Sequence, residues 1–267
     1  MSHAQFYSQQ VTLVLDIMKR KIIVHDKRNL DRFEISIEYA SYVKQMRGYL
    51  YRICECEVSG VFSDDKWKVY CSSEWLYGES LQRGYLFVSA HLSRIFNCMI
   101  STKRAQYTGY FQTTFAGFFD LQFKFEKLSI DLKNIQSEML KQVCGNLQLV
   151  EHLTIQSLPS SIPIFSTWPM RISIRDASWV TLTTLLTSTS FRIELEDSQL
   201  EYKDLEEILE NWKTAGRFQN LEYLKISYKK IDVEADETDE IIQTNDGEKK
   251  AMISWKTSCF EMKVEKK

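Results

Sequence analysis

The amino-acid sequence predicts an α/β fold of mixed strands and helices that ends in a β-hairpin. Between residues 170 and 228, short β-branched segments alternate with segments in which apolar residues recur at helical spacing. Near residue 35, apolar and polar residues alternate strictly, and an Asp-Gly pair near the C-terminus separates two short strand-like segments. The 267-residue chain is 44% hydrophobic, which is enough to fill a sizeable core.

The net charge of -2 argues against general attraction to nucleic acid or anionic lipid, because excess Lys and Arg carry that attraction. No apolar run approaches the roughly 20 residues of a membrane-spanning helix, and the start of the chain does not resemble a signal peptide. The six cysteines are scattered, which is typical of free thiols in a reducing compartment. We therefore expect a cytoplasmic or nuclear protein that binds neither nucleic acid nor membrane.

Residues 1–30 are expected to form a separate N-terminal segment. A weak helical pattern surrounds Leu13, Leu15 and Met18, and it predicts a helix. A basic cluster follows from residue 19 to residue 28. We interpret this cluster as a solvated face, because no aromatic residues alternate with the basic ones as in binders of single-stranded nucleic acid.

Residues 31–125 are predicted to be rich in strands at first and helical afterwards. Alternation predicts a strand at 33–39, and a second strand at 51–61 would place Cys54 and Cys56 on one face. Two sulfurs without a second pair do not complete a zinc site, so we expect no metal there. Helical spacing then predicts helices at 85–97 and 107–119, and the aromatic stripe of the second helix is typical of a core.

Residues 126–267 are predicted to form a domain of short strands separated by helices. Strands are expected at 127–132 and 152–155, with a helix at 137–144 between them. Ile155, Ile174 and Ile193 then follow one another at intervals of 19 residues, since 174 − 155 and 193 − 174 are both 19. The next strand, centred on Ile226, follows after a longer interval of 33 residues, since 226 − 193 is 33. The spacing therefore favours an irregular solenoid like that of leucine-rich repeats.

Two amphipathic helices are predicted within this domain. Ser178 is expected to cap the first, and the second should bury Leu205, Leu209 and Trp212 before it ends at Gly216. Six acidic residues between 232 and 240 are typical of a solvated loop. Beyond them we predict a hairpin of strands 241–244 and 249–255, followed by a third strand at 259–264.

The sequence contains no motif of a known catalytic or cofactor site. Phosphate-binding loops, dinucleotide fingerprints, nucleophile elbows, zinc-protease motifs and kinase signatures are all missing, and the four histidines are scattered. We therefore expect a protein that is not an enzyme and that needs no cofactor.

Several segments nevertheless carry a resemblance. Ser178-Trp179-Val180-Thr181-Leu182, Ile193-Glu194-Leu195 and Asn220-Leu221-Glu222-Tyr223-Leu224 are similar to the type 2 F-box-associated domain of the large nematode F-box B family. The resemblance extends over most of the chain, roughly from residue 30 to residue 264, and is most specific between 152 and 228. It implies a protein-binding module like the substrate-recognition part of F-box adaptors of cullin-RING ubiquitin ligases, with a protein substrate as partner.

In such proteins an F-box, a small helical motif, docks on a Skp-type adaptor. Residues 1–50 of this chain lack the Leu-Pro opening and the paired apolar helices of that motif. The sequence thus leaves a second hypothesis open, that of a free-standing interaction protein or decoy that is not coupled to ubiquitylation. We hypothesise that exposed residues between the strands, such as Arg175, Glu194 and Glu196, contribute to the partner-binding surface, with side-chain directions inferred from strand alternation.

Overall fold

The computed structural model describes residues 11–26, 32–39, 49–53, 56–63, 66–72, 79–103, 109–131, 133, 135, 137–157, 165, 167–214, 216–228 and 238–266. Its strands and helices confirm a mixed α/β protein. The chain divides into two units, Met1–Ser129 and Ile130–Lys267. The division into segments 1–30, 31–125 and 126–267 stays a prediction.

The described residues of the N-terminal unit form a mixed sheet and two helices. In chain order its elements are β1 (Val11–Asp16), β2 (Lys21–Asp26), β3 (Arg32–Tyr39), β4 (Tyr49–Ile53), β5 (Cys56–Ser63), β6 (Lys66–Ser72), α1 (Glu79–Phe96), β7 (Ile100–Thr102), α2 (Gly109–Asp120) and β8 (Phe125–Ile130). The strand order is β8-β7-β1-β2-β3-β6-β5-β4. The pairs β1–β7, β7–β8 and β3–β6 are parallel, and the others are antiparallel.

The helix predicted around Leu13, Leu15 and Met18 is wrong, because this segment forms an antiparallel hairpin of β1 and β2. Leu13 and Leu15 are fully buried and alternate with less buried neighbours, which is the period of a strand. The turn between the strands is fixed by Arg20 in the left-handed region, at φ 53°, and by Lys19 N–H donating to Asp16 Oδ1 at 3.1 Å. Tertiary pairing thus overrode a weak helical pattern.

The strand predicted at 33–39 is confirmed by β3, whereas the single strand predicted at 51–61 is wrong. That segment contains the end of β4 and most of β5, which pair with each other antiparallel. The shared face predicted for Cys54 and Cys56 lies outside what the structure describes.

Both helices predicted in this unit are confirmed, and they enclose an aromatic core. Phe115 and Phe118 of α2 are fully buried, and the ring of Phe115 stacks on Phe125 of β8 at a centroid distance of 5.8 Å. Gly117 allows α1 to approach closely, since a Cβ at this position would lie 2.7 Å from Cδ2 of Leu86. Close helix packing therefore explains a glycine inside this helix.

The C-terminal unit contains a seven-stranded sheet among its described residues. Its elements are α3 (Ser137–Gly145), a short 3₁₀ helix (Leu147–Leu149), β9 (Val150–Ile155), β10 (Arg171–Ile174), α4 (Leu182–Leu185), β11 (Arg192–Ser198), α5 (Tyr202–Lys213), β12 (Tyr223–Tyr228), β13 (Thr238–Gln243), β14 (Lys249–Lys256) and β15 (Cys259–Lys266). The strand order is β9-β10-β11-β12-β15-β14-β13. The first four strands are parallel, and β15, β14 and β13 continue the sheet antiparallel, which confirms the predicted hairpin and third strand. The loop predicted for the acidic residues is wrong at Asp239 and Glu240, because β13 begins at Thr238 and both residues pair with β14. The other four acidic residues of that prediction lie outside the described residues.

One face of this sheet is lined by two rows of apolar side chains. Cα register places one residue from each of β9, β10, β11, β12, β15 and β14 in a row, because residues paired in register share a face. The first row contains Leu153, Ile172, Ile193, Leu224, Met262 and Ile253, and the second contains Ile155, Ile174, Leu195, Ile226, Phe260 and Trp255. All except Trp255 are almost completely buried.

The register differs from the regular 19-residue interval of the sequence. Ile174 pairs with Ile155, as this interval indicates, but its partner on the other side is Leu195 and not Ile193. The intervals along this row are 19, 21 and 31 residues, from 174 − 155, 195 − 174 and 226 − 195. The connections between the parallel strands therefore differ in length.

The second amphipathic helix predicted in this unit is present as α5, whereas the first is shorter than predicted, because α4 is a single turn whose buried residue is Leu185. Thr181 and not Ser178 caps α4, because its hydroxyl accepts a hydrogen bond from the Thr184 N–H, while the Ser178 hydroxyl donates to Asp176. Likewise α5 ends at Lys213, where the predicted stop was Gly216. Which of the two hydroxyls, Ser178 or Thr181, caps α4 depends on their other hydrogen bonds, and the spacing of apolar residues does not reveal it.

The helix α5 packs against the apolar face. Its buried residues are Leu205, Ile208, Leu209 and Trp212, as predicted from their spacing. Near its start, the Tyr202 ring lies 5.0 Å from that of Trp255, which belongs to the second apolar row. Asp204 also accepts the Glu201 N–H at 2.8 Å, which satisfies a donor at the helix start.

We predict that Leu209→Ala lowers the free energy of unfolding by about 2–5 kcal/mol, because it removes a buried side chain and leaves a cavity. Denaturant unfolding measures this change. The matched control is Glu206→Ala on the exposed side of the same helix, which should change stability by less than about 0.5 kcal/mol. Equal stability of the two variants would contradict the packing of α5.

Candidate functional site

The other face of the C-terminal sheet is polar, and we call it the open face. It carries two further rows of residues in register. One contains His152, Arg171, Arg192, Tyr223, Lys263, Met252 and Ile241, and the other contains Thr154, Ser173, Glu194, Lys225, Glu261, Ser254 and Asp239. Apart from Thr154, all of these residues are exposed or half-buried. This face follows directly from the apolar rows, because alternate side chains of a strand point to opposite sides.

A network of charged and aromatic side chains occupies the centre of the open face. Arg192 Nε donates to Glu194 Oε1 at 2.6 Å, and its guanidinium carbon lies 3.9 Å from the centroid of the Tyr223 ring. The Tyr223 hydroxyl donates to Glu261 Oε1 at 2.8 Å, and Lys263 Nζ approaches the same oxygen at 3.1 Å. Three strands, β11, β12 and β15, are thereby connected through their side chains.

The network shifts the pKa values of two of its members. Burial, together with the hydrogen bond to the Glu261 carboxylate, raises the pKa of Tyr223 to about 12. Burial also acts to raise the pKa of Glu261, but the hydrogen bonds from Tyr223 and Lys263 outweigh it and hold this pKa below its ordinary value. At neutral pH Tyr223 is therefore a donor and Glu261 a carboxylate, which is the arrangement that the hydrogen bond requires.

The three predicted partner-binding residues are exposed or half-exposed, two of them in β11 and one directly after β10. Glu194 belongs to the central network. Glu196 lies two residues further along β11 and is exposed, and Arg175 is exposed directly after β10, where its N–H donates to the Ile155 carbonyl at 2.9 Å. Their role in binding stays a prediction.

Sequence reasoning missed most of the central network. Arg192, Tyr223, Glu261 and Lys263 were not selected, although strand alternation alone puts Arg192 on the same side as Glu194. No local sequence pattern indicates that β12 pairs with β15, because the β13–β14 hairpin separates these strands along the chain. Glu261 and Lys263 could therefore not be assigned to the network from the sequence. A search for Arg and Tyr at alternate strand positions would have found two of the four.

A small crevice lies between the end of α5 and the turn of the β13–β14 hairpin. The crevice lined by Trp212, Thr244 and Lys249 of the same unit has a volume of about 20 Å³, which is room for a single water molecule. Among the described residues, no group of three or more His, Cys, Asp or Glu side chains is arranged to hold a metal ion. Burial raises the pKa of Cys144 to about 11, so this thiol is a poor nucleophile at neutral pH.

No helix within the described ranges has both the length and the apolar character needed to cross a membrane.

A family model described as F-box associated matches residues 165–226. This segment runs from the connection before β10 to the middle of β12, so it includes the three predicted residues together with Arg192 and Tyr223. Searches of curated proteins and of solved structures found no match. The match supports an F-box-associated domain at these residues.

We predict that stability falls as the pH rises from about 10 to about 12, because the pKa of Tyr223 is 10.0 when unperturbed and about 12 in the folded protein. Because the pKa of Tyr223 is raised in the folded protein, its contribution to the free energy of unfolding is fully present below the unperturbed pKa. This contribution is lost as the pH rises through the pKa of the folded state. Subtracting the ultraviolet tyrosinate titration of Tyr223→Phe from that of the wild type isolates the ionisation of Tyr223 and gives its pKa.

The variant Glu261→Gln is the control for this titration. In Glu261→Gln the Tyr223 pKa should move down towards its unperturbed value, because the negative charge that opposes ionisation is gone. An unchanged titration in Glu261→Gln would contradict the hydrogen bond between the two side chains.

Proposed function

We propose that this protein recognises a protein substrate through the open face, in the manner of the substrate-recognition part of F-box adaptors of cullin-RING ubiquitin ligases. One observation carries the proposal: the segment that matches the F-box-associated model, residues 165–226, supplies Arg192, Glu194 and Tyr223 to the central network. The mechanism is binding, and we propose neither a catalytic role nor a cofactor.

The central network has the properties of a binding hot spot. Arg and Tyr are among the residues that most often dominate binding energy at protein interfaces. Here Arg192 is held between Glu194 and the Tyr223 ring, so less side-chain freedom remains to be lost on binding. We expect a partner to bury about 1,200–2,000 Å² in total against this surface.

The narrower assignments belong to the same proposal. We propose that Arg175, Glu194 and Glu196 contact the partner, and that the domain is of the type 2 kind found in the nematode F-box B family. We also propose that β9 to β12 form an irregular solenoid like that of leucine-rich repeats, and the consecutive parallel pairing of these four strands supports it. A cytoplasmic or nuclear location follows from the proposed link to ubiquitin ligases.

A free-standing interaction protein or decoy is the second candidate. It is favoured by the residues described within the first 50, namely 11–26, 32–39 and 49–50, which form strands and the turn between two of them. An F-box would require paired helices for its contact with a Skp-type adaptor. Under this candidate, the open face binds the same class of partner without coupling it to ubiquitylation.

We predict that the double substitution Arg192→Ala and Tyr223→Ala weakens partner binding by at least about thirtyfold, since two hot-spot side chains are lost. Affinity purification with quantitative mass spectrometry, followed by a binding titration of the purified partner, measures this loss. The control is Glu206→Ala with Glu207→Ala, two exposed positions of α5. Full binding by the open-face variant, or equal loss in both variants, would contradict the proposal.

A separate experiment distinguishes the two candidates. The purified chain is mixed with a recombinant Skp-type adaptor and analysed by size-exclusion chromatography. Co-elution supports the ubiquitin-ligase adaptor, whereas partner binding without adaptor binding supports the free-standing protein.

A further inference from the structure

The strand β13 lies at the edge of the C-terminal sheet. It pairs with β14 through six consecutive residues without a register shift, and no other described strand pairs with it. In an edge strand, alternate residues point their N–H and C=O groups away from the sheet. The outer side of β13 is thus a regular template for one more strand.

Exposed apolar side chains lie beside this edge. Ile241 of β13 is 75% exposed, and its partner in register, Met252 of β14, is 44% exposed. The two form an exposed apolar pair at the end of a row of the open face. Ile242, on the other face, is half-buried and pairs with the buried Ala251. An added strand with apolar residues opposite Ile241 and Ile242 would remove this surface from water.

Charge decides which kind of strand fits this edge. Asp239 and Glu240 precede the apolar residues, and both carboxylates are held by neighbours on β14, where Ser254 donates to Asp239 and Trp255 Nε1 donates to Glu240 at 3.1 Å. The strand β13, with the sequence TDEIIQ, contains no Lys or Arg. A second copy of the chain paired through this edge would add two further carboxylates and no cation, so the charge of Asp239 and Glu240 would stay unbalanced.

We infer that the outer edge of β13 binds an extended segment of a partner protein by antiparallel strand addition, with two basic residues of that segment opposite Asp239 and Glu240 and two apolar residues opposite Ile241 and Ile242. Backbone hydrogen bonds between the two strands supply affinity. The two charged pairs and the two apolar pairs of side chains supply specificity. This site lies beyond the proposed function, because it uses the backbone of the sheet edge and not the side chains of the central network.

The test uses the full 267-residue chain and a fluorescent peptide, Thr-Val-Val-Lys-Lys-Thr, which places its residues in this register. We expect it to bind about tenfold more tightly than Thr-Val-Val-Glu-Glu-Thr in an anisotropy titration. The substitution pair Asp239→Lys and Glu240→Lys should reverse the preference. The matched control, Glu206→Lys with Glu207→Lys on α5, changes the net charge equally and should leave the preference unchanged.

Backbone methylation separates strand addition from simple charge attraction. Two versions of the basic peptide carry N-methyl groups on opposite sets of alternate residues, so that only one version loses the donors that face β13. We expect one version to bind like the parent and the other to lose binding.

Three results would overturn the inference. They are equal binding of the basic and acidic peptides, equal binding of the two methylated peptides, and sedimentation of the wild type as a dimer that Asp239→Lys with Glu240→Lys dissociates. The last result would identify a second copy of the chain as the occupant of the edge.

Discussion

Two rows of buried apolar side chains across the C-terminal sheet are the constraint on which its other features depend. They run through β9, β10, β11, β12, β15 and β14, and the amphipathic helix α5 packs on the same side. A shift of any strand by one residue would turn its apolar residues to solvent and bury its polar ones. Register is therefore strongly specified, and with it the composition of the opposite face.

The central network of the open face is a consequence of that register. Tyr223 meets Arg192 on one side and Lys263 on the other because Leu224, its neighbour along β12, must lie between Ile193 and Met262. Burial and hydrogen bonding then act together to keep Tyr223 protonated and Glu261 ionised. Packing on one face thus determines the electrostatics of the other.

The two surfaces that we propose for recognition belong to the same sheet but differ in kind. The open face presents fixed side chains, of which Arg192 and Tyr223 are central, whereas the edge strand β13 presents backbone groups beside the exposed pair Ile241 and Met252. Side-chain surfaces select partners by shape and charge, while edges select extended segments.

Elements with strong local signals could be predicted from the sequence, as α5 and the Asp-Gly hairpin show. Alternation likewise placed Glu194 on a solvent-facing position. The sequence by itself thus determined which residues of each element are apolar and where most elements lie, because helical and strand periodicities are local properties. Only the tertiary structure decided that residues 11–26 form a hairpin, that Leu195 and not Ile193 pairs with Ile174, and that β15 lies beside β12. Those choices depend on pairing between distant segments, whose energy appears only when the whole sheet is assembled.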